Sequence, residues 1–342
     1  MNKESQIIQL KLLDQEVKIN DYSDKRSEQL SRAYKRKLSM LKKRITFDSK
    51  GDLDTAIAAL AKDSAPDVAE SFSSAALMSK KAVDNALSWD GLYTEFKPAA
   101  MSQNQLKGLA LTEKIDGKTL TSHLDTAIGS KVRREVSLAR IRGEGINKMT
   151  ANIEQSLGGA ATRREIETIS RTYTATASSY AKRLTYEKNA NVINGFTWCA
   201  TLENGNFRTG RGTCPRCGGL DQQEYETLAQ APPWPLHRRC RCIVTPITKS
   251  FRDLGIDMDE AEEANRPWTE RLKSGKIDDY GTTDESYGEW WMSKPPTWQD
   301  SSTVGPTRAE FIRSGLIGYN DIVDRRTGRL LNIKQLKSKF NL

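Results

Sequence analysis

The sequence predicts an α+β fold that is predominantly α-helical, with a small antiparallel β-sheet that carries a Cys/His cluster. Apolar residues recur at helical spacing up to about Asn189, and strand-forming residues are concentrated around one cysteine-rich segment beyond it. The length of 342 residues is enough for two domains. We divide the chain into a variable basic helical region (1–120) and a second domain (121–342). The second domain comprises helices (122–188), a Cys/His β-region (195–248) and a helical tail (251–342).

The N-terminal region contains a basic amphipathic helix, predicted over 22–47. Its apolar stripe has spacings of three and four and is formed by Leu30, Tyr34, Leu38, Leu41 and Ile45. The other faces are basic, and such a helix can lie along nucleic-acid phosphates. The candidate nucleic-acid-binding residues are Arg32, Lys35, Arg36, Lys42, Lys43 and Arg44. The competing interpretation is a solvated helix face whose stripe packs on a neighbour.

The segments that follow are also mostly helical. Residues 52–89 are rich in Ala, Ser and Leu, which predicts two helices with a break near Pro66. Residues 97–111 are interpreted as a linker. Helices resume over 122–188, where glycines separate them. In the tail, a Trp-rich patch of Trp290, Trp291 and Trp298 is interpreted as packing on its own domain, with a partner-docking surface as the alternative.

One short stretch carries most of the reactive side chains. TCPRCGGLDQQEYETLAQAPPWPLHRRCRC, which begins at Thr213, holds four of the five cysteines and one of the two histidines. Strand formers around Phe196 and Trp198 precede it, and the segment Cys240–Thr248 closes it as a second strand. The remaining cysteine, Cys199, is predicted to be a buried core residue.

The spacing within this stretch indicates a structural zinc site. Cys214 and Cys217 form one close pair, and His237 and Cys240 form a second pair after a loop of nineteen residues. Soft thiolates and an imidazole suit zinc better than harder cations. Cys242 is the alternative to Cys240, because residues two apart in a strand share a face.

Other cysteine chemistries fit the pattern less well or remain open. A dithiol redox motif would open a helix after a strand, whereas Gly218 and Gly219 follow this C-P-R-C and a glycine-rich loop precedes it. A zinc deaminase needs H-x-E and P-C-x-x-C, and His237 is followed by two arginines. A pair of disulfides formed after the protein leaves the cell remains open, and so does a packed cluster of free thiols.

Composition narrows the functional classes. The net charge of +9 favours a polyanionic partner, with nucleic acid the first candidate, although basic proteins without such a partner are also common. Two histidines supply little general-base capacity, and no P-loop, G-x-S-x-G or H-E-x-x-H motif is present, so we expect no enzyme. No stretch approaches about 18 apolar residues and no secretory signal is recognisable, so we expect synthesis in a reducing cytoplasm and no membrane contact.

The stretch from Phe196 to Ile247 resembles the C-terminal motif of the phage Mu F-like minor head proteins, the phage head morphogenesis family. The matching positions are Trp198, Thr213 to Cys217, Leu220-Asp221, Pro232-Pro233, His237 and Cys240 to Cys242. The preceding helix and the tail, which includes Gly305 to Arg308, are similar as well, so the resemblance covers roughly residues 140–340. Gln222 and Arg238 stand where the family commonly has Gly and often has Pro.

The resemblance implies a non-enzymatic minor capsid protein. Such a protein is made in the host cytoplasm and resides in the virion, inside the head near the portal. It acts in head assembly, DNA packaging or DNA ejection. The implied partners are the portal protein, the major capsid and scaffold proteins, and the double-stranded DNA genome. The alternative function is a zinc-dependent DNA-binding protein that contacts phosphates without sequence preference.

Overall fold

The structure is a computed structural model. It describes residues 3–42, 50–88, 96–98, 100–112, 114–115, 118–144, 146–158, 160–203, 212–250, 252–254, 266–271, 277–302 and 304–342. Helices predominate, and a small three-stranded antiparallel sheet lies beside the cysteine-rich segment, so the predicted fold class is confirmed. Among the described residues, no helix combines the length and the apolar character that a membrane span requires.

The chain forms two compact units, each assembled from separate segments. The first unit contains Met1–Lys18, Ser79–Ala99 and Lys182–Leu342, and the second contains Ile19–Met78 and Ala100–Ala181. Three long helices contribute to both units: α1 (Lys3–Lys42), α2 (Lys50–Ser88) and a later helix, α6 (Ala160–Lys188). The division of the sequence at residue 120 rests on composition and on family resemblance, and it stays a prediction.

The second unit is a helical assembly with a core of small side chains. It includes α3 (Gln103–Thr112), the two-residue strands β1 (Lys114–Ile115) and β2 (Lys118–Thr119), α4 (Leu120–Ile141) and α5 (Ile146–Gly158). Buried alanines of α2 surround Phe72, whose ring contacts that of Tyr173 at a centroid distance of 6.4 Å. Alanine permits close helix packing and has the highest helix propensity, which accounts for the long unbroken helices.

The structure corrects three sequence-based boundaries in this region. The predicted break at Pro66 is wrong, because α2 continues through this proline. Its neighbours Ala65, Val68 and Ala69 are buried, so their packing outweighs the lost backbone hydrogen bond. The predicted linker contains α3, whose Leu106 and Ala110 are buried at helical spacing. The basic helix predicted over 22–47 is part of the longer α1, and 43–47 lie outside the described residues.

The first unit is built around the antiparallel sheet. It consists of β3 (Ile193–Cys199), β5 (Glu224–Tyr225) and β6 (Ile243–Thr248), in the order β5-β3-β6. Between β3 and β5 come β4 (Leu202–Glu203) and the short helix α7 (Pro215–Gly219). Trp198 is opposite Val244 in the register, and both are fully buried. β3 is buried from Phe196 to Cys199, and Phe196, Trp198 and Cys199 supply most of its apolar surface.

The N-terminal end of α1 belongs to the core of this first unit. Ile8 and Leu12 are fully buried, and Ser5 accepts a hydrogen bond of 2.8 Å from the backbone N–H of Thr248 at the end of β6. Glu16 forms a buried ion pair of 2.5 Å with Lys182 of α6. The predicted region 1–120 therefore contributes residues to the same unit as the cysteines of the predicted second domain.

The tail contains strands as well as helices. β7 (Arg266–Arg271) and β8 (Ile277–Thr283) form an antiparallel hairpin, and β4 pairs with β7 in parallel. The prediction of a helical tail over 251–342 is therefore wrong for these segments, because their charged residues hid the Trp, Thr and Tyr that favour strands. The tail then continues as α8 (Tyr287–Met292), α9 (Pro296–Ser301), α10 (Pro306–Arg313) and α11 (Ile333–Phe340).

The Trp-rich patch packs inside the first unit. Trp290 and Trp291 are buried, and the rings of Trp290 and Trp298 meet edge to face at 5.8 Å. Lys294 lies over the Trp290 ring at 4.6 Å. These contacts support the packing interpretation of the patch over a docking surface.

Candidate metal centre

The first cysteine pair is positioned by the turn that opens α7. Cys214 is the N-cap residue in an extended conformation, and Pro215 follows at the first helical position, where its missing N–H costs nothing. The backbone N–H of Cys217 donates to the Sγ atom of Cys214 at 3.4 Å. A C-x-x-C at a helix start thus brings both sulfur atoms to the same side of one turn.

Two glycines let the tail approach this turn closely. A Cβ atom on Gly218 would lie 2.4 Å from Cε1 of Tyr287, and one on Gly219 would lie 2.3 Å from Cγ2 of Val323. Neither residue could carry a side chain without displacing the tail. The glycines that disfavoured a redox motif in the sequence therefore serve as packing positions.

Asp221 ties the same turn to the sheet and the tail. Its carboxylate accepts a hydrogen bond of 2.8 Å from the N–H of Ala200 and one of 2.7 Å from the N–H of Tyr287. Its backbone carbonyl accepts another of 3.0 Å from the side-chain amide of Asn320. The carboxylate is 1% exposed, and such burial is affordable only with these donors. In the sequence, Asp221 is recognisable only as part of the family motif, and no local pattern indicates this role.

The second set of ligands lies on the loop that leads into β6. Arg239 has a positive φ of 61°, and the N–H of Cys240 donates to the carbonyl of His237 at 3.1 Å, which closes a tight turn. Arg241 donates to buried Glu203 at 2.6 Å. Cys240 and Cys242, on either side of Arg241, both lie close to Cys217 of α7.

Five side chains form the Cys/His cluster: Cys214, Cys217, His237, Cys240 and Cys242. The Nε2 atom of His237 lies 3.0 Å from the sulfur of Cys214 and 3.3 Å from that of Cys217. The sulfurs of Cys217 and Cys240 are 3.6 Å apart. The ligand atoms form two groups of three, and the atoms within each group lie within 4.8 Å of one another. One group contains Cys214, Cys217 and His237, and the other contains Cys217, Cys240 and Cys242. The cluster could therefore hold a metal ion.

The imidazole of His237 is oriented as a metal ligand. Its Nδ1 atom is 2.7 Å from the carbonyl oxygen of Arg238. A carbonyl only accepts, so Nδ1 carries the proton and donates it. Nε2, which faces the sulfur atoms, is then the nitrogen whose lone pair can bind a cation. Metal-binding histidines typically donate their other ring N–H to a carbonyl or carboxylate oxygen in this way.

The pKa values of the cluster side chains indicate that a cation would replace protons in this site. Burial lowers the pKa of His237, but hydrogen bonds to the sulfurs of Cys214 and Cys240 outweigh it and raise the pKa to about 11. A hydrogen bond from Cys217 lowers the pKa of Cys214 to about 5, and one from Cys217 also lowers the pKa of Cys240. Burial raises the pKa values of Cys217 and Cys242. Without a metal, only protons balance the negative charge of the thiolates in this site, which is nearly closed to water. A divalent cation would balance that charge instead.

All five cysteines are free and buried. The separation of 3.6 Å between the sulfurs of Cys217 and Cys240 is well above the roughly 2.05 Å of a disulfide bond. Cys199 stays outside the cluster, with its sulfur 3.2 Å from the hydroxyl oxygen of Thr245.

The predicted nucleic-acid-binding residues lie far along α1 and are only partly described. Arg32 is exposed on α1 and makes a weak exposed ion pair of 3.9 Å with Glu28. Leu30 on the stripe is buried, as expected for a packed apolar face. Lys35, Arg36 and Lys42 belong to α1, although the structure does not describe their side chains. Lys43 and Arg44 lie outside the described residues.

Comparison with protein-family models, with curated proteins and with solved structures finds no match to this chain. The resemblance to the Mu F-like family therefore rests on the residues of this sequence alone.

Proposed function

We propose that this chain is a non-enzymatic minor capsid protein of the phage Mu F-like type, located in the virion inside the head near the portal. It is made in the host cytoplasm and serves head assembly, DNA packaging or DNA ejection. One observation carries the proposal: the separate pieces of the sequence resemblance meet in space. The two cysteine motifs and His237 form one cluster, while Gly218, Gly219 and Asp221 of the adjoining turn contact the tail.

The metal that fits this centre best is zinc. The donors are thiolates and one imidazole, which is the ligand chemistry of structural zinc sites. A zinc ion bound here would take four of the five donors, and a zinc ion with four protein ligands has no open position for a substrate. A closed site of this kind contributes to folding rather than to a reaction.

A metal ion here would join separate segments of the chain beside a small sheet. In that sheet β5 has two residues and β6 has six. The metal would join the α7 turn to the loop before β6, while Gly218, Gly219 and Asp221 connect that turn to the tail. Because metal binds only the folded site, its binding free energy adds to the stability of the fold.

The arrangement of both histidines supports a role without catalysis. His237 lies in the cluster, and buried His123 in the second unit meets the ring of Tyr173 edge to face at 6.3 Å. The proposed partners are the portal protein, the major capsid and scaffold proteins, and the double-stranded DNA genome. The alternative function is zinc-dependent DNA binding through phosphate contacts without sequence preference, to which the basic part of α1 and the net charge of +9 would contribute.

The test is binding to purified portal rings and to duplex DNA of random sequence, each between about 50 and about 200 mM salt. The proposal expects portal binding that persists through this range. It also expects the chain in purified heads, at few copies per head. Binding to DNA alone, with a steep loss of affinity over the same range, would establish the alternative instead. Arg32→Glu combined with Lys35→Glu should abolish that DNA binding and leave portal binding intact.

A further inference from the structure

We propose that the Cys/His cluster is a five-donor site for a single metal ion, in which Cys240 and Cys242 are interchangeable closing ligands. Cys214, Cys217 and His237 supply the three fixed positions. This inference rests on the proposed zinc site and assigns the roles of its ligands.

The three fixed donors are held by independent contacts. The sulfur of Cys214 accepts from the N–H of Cys217, so the two cysteines of the turn are positioned together. Nδ1 of His237 donates to the carbonyl of Arg238, which leaves Nε2 directed at both sulfur atoms. These donors form one of the two groups within 4.8 Å, and a tetrahedral ion needs one more ligand.

Two thiols compete for that fourth position. Cys240 and Cys242 form the second group with Cys217, and they are 3% and 6% exposed, so burial does not distinguish them. The distance of 3.6 Å between the sulfurs of Cys217 and Cys240 is close to the roughly 3.8 Å edge of a tetrahedron with Zn–S bonds of about 2.3 Å. The sulfur of Cys242 belongs to the same group and lies within 4.8 Å of the sulfurs of Cys217 and Cys240.

The backbone between the two thiols is anchored from outside the cluster. Arg241 is buried and pairs with buried Glu203 at 2.6 Å. This ion pair keeps the segment in place whichever neighbour binds the metal. Exchange therefore needs only side-chain rotation.

The exchange balances without any further reactant. The bond from the metal to the sulfur of Cys240 breaks, and a bond to the sulfur of Cys242 forms. The proton of the Cys242 thiol passes to the departing Cys240 thiolate. Three thiolates and one imidazole bind the ion before and after, so the charge of the site is constant.

In the experiment the chain is loaded with Co²⁺, and the stoichiometry and apparent affinity of binding are measured. The thiolate-to-cobalt absorption band is recorded as well, because its intensity rises with the number of Co–S bonds. Cys240→Ser and Cys242→Ser should each keep one ion per chain and the wild-type band, with affinity weakened by no more than about 100-fold. The double variant and Cys217→Ser should each show a weaker band, because each loses one of the three Co–S bonds. Cys199→Ser is the matched control, because this buried cysteine lies outside the cluster, and it should match the wild type.

Several results would overturn the interchange. One is a weakened band in only one of the two single variants, which would identify that residue as the sole fourth ligand. Another is an equally weakened band in both single variants with a full band in His237→Ala, which would show a four-thiolate site. X-ray absorption of the zinc-loaded wild type needs no variant to fold: three sulfurs and one nitrogen support the proposal, and four sulfurs contradict it. A wild-type chain that binds no metal would refute the zinc site itself.

Discussion

Gly218 lies between the Cys/His cluster and the tail and has no room for a side chain. A Cβ atom there would be 2.4 Å from Tyr287 and 3.1 Å from Tyr319, and Tyr287 and Tyr319 are both buried. Gly218→Ala should therefore destabilise the first unit by about 1–3 kcal/mol, the usual cost of overpacking a core. All seven tryptophans fall within the residue ranges of the first unit, so denaturant unfolding followed by tryptophan fluorescence measures this change selectively.

Gly108 provides the matched control. It lies inside α3 in the second unit, and no atom is within 4 Å of its Cβ position. Gly108→Ala should stabilise that helix by about 0.5–1 kcal/mol and leave the tryptophan transition unchanged. Equal transitions for wild type and Gly218→Ala would show that the tail does not pack on the α7 turn.

Glu289 is a residue whose contribution should depend on pH. The hydroxyl of Ser286 donates a hydrogen bond of 2.7 Å to the Glu289 carboxylate, and the backbone N–H of Ser286 donates one of 2.8 Å. Both lower the pKa of Glu289, and the hydroxyl has the larger effect. A folded pKa below the unfolded one gives stability that is complete above about pH 4.3 and is lost as pH falls through the folded value. The carboxylate is exposed, so we expect an effect on the order of 0.5 kcal/mol at most.

Glu289→Gln isolates this effect. Glutamine keeps a capping acceptor but does not titrate, so the stability difference between wild type and variant should shrink as the pH is lowered from 7 to 3. Side-chain carbon NMR should place the Glu289 titration below that of an ordinary glutamate. A midpoint at or above the ordinary value would contradict the capping box of α8.

Elements were predictable where local pattern and packing agree. The apolar periodicity before Asn189 indicated helices, and the flanking strands of the cysteine segment became β3 and β6. The unbroken passage of α2 through Pro66 was not predictable, because it depends on the buried neighbours of that proline. The hairpin of β7 and β8 was missed since its pairing with β4 is a long-range contact that no local window contains.

The N-terminal end of α1 allows a test at this scale. Removal of residues 1–18 deletes Ile8 and Leu12 from the core and leaves the ammonium of Lys182 without the Glu16 carboxylate. Each lost aliphatic side chain costs about 2–5 kcal/mol, and a broken buried ion pair about 3–5 kcal/mol. We therefore expect the tryptophan unfolding transition of the first unit to be lost or shifted to much lower denaturant.

The control for this truncation is Lys18→Ala. Its ion pair with Asp14 lies on the same helix but is exposed, and exposed pairs contribute less than about 1 kcal/mol. An unchanged tryptophan transition in the truncated chain would show that residues 1–18 are dispensable, as a separable region 1–120 would require.

At the scale of the whole molecule, the ligands were easier to predict than their surroundings. The spacing of Cys214, Cys217, His237 and Cys240 indicates a metal site. Two close pairs of ligands can converge on one ion when the loop between the pairs folds back. The presence of Cys240 and Cys242 together in the cluster depends on Arg241 pairing with Glu203, a contact between residues 38 positions apart. Such partners leave no local signal, and Asp221 was recognisable only through the family motif.

Metal removal should affect the two units differently. The cluster lies in the first unit, and its metal-binding free energy supports only the fold that forms the site. Chelation of the zinc-loaded chain should therefore accelerate amide hydrogen exchange in peptides from 193–248, where β3 and β6 pair. Peptides from 120–158, which contain α4 and α5, should keep their protection because their core includes no cluster residue.

The size of the difference distinguishes a structural metal from an incidental one. A structural zinc supplies several kcal/mol, so exchange of the slowest amides of β3 and β6 should accelerate by at least about a hundredfold, equivalent to roughly 2.7 kcal/mol. Cys217→Ser should show the fast pattern before any chelator is added, and Cys199→Ser should show it only afterwards. Equal exchange with and without chelator would mean that the sheet is held by its apolar core alone and that the metal is not structural.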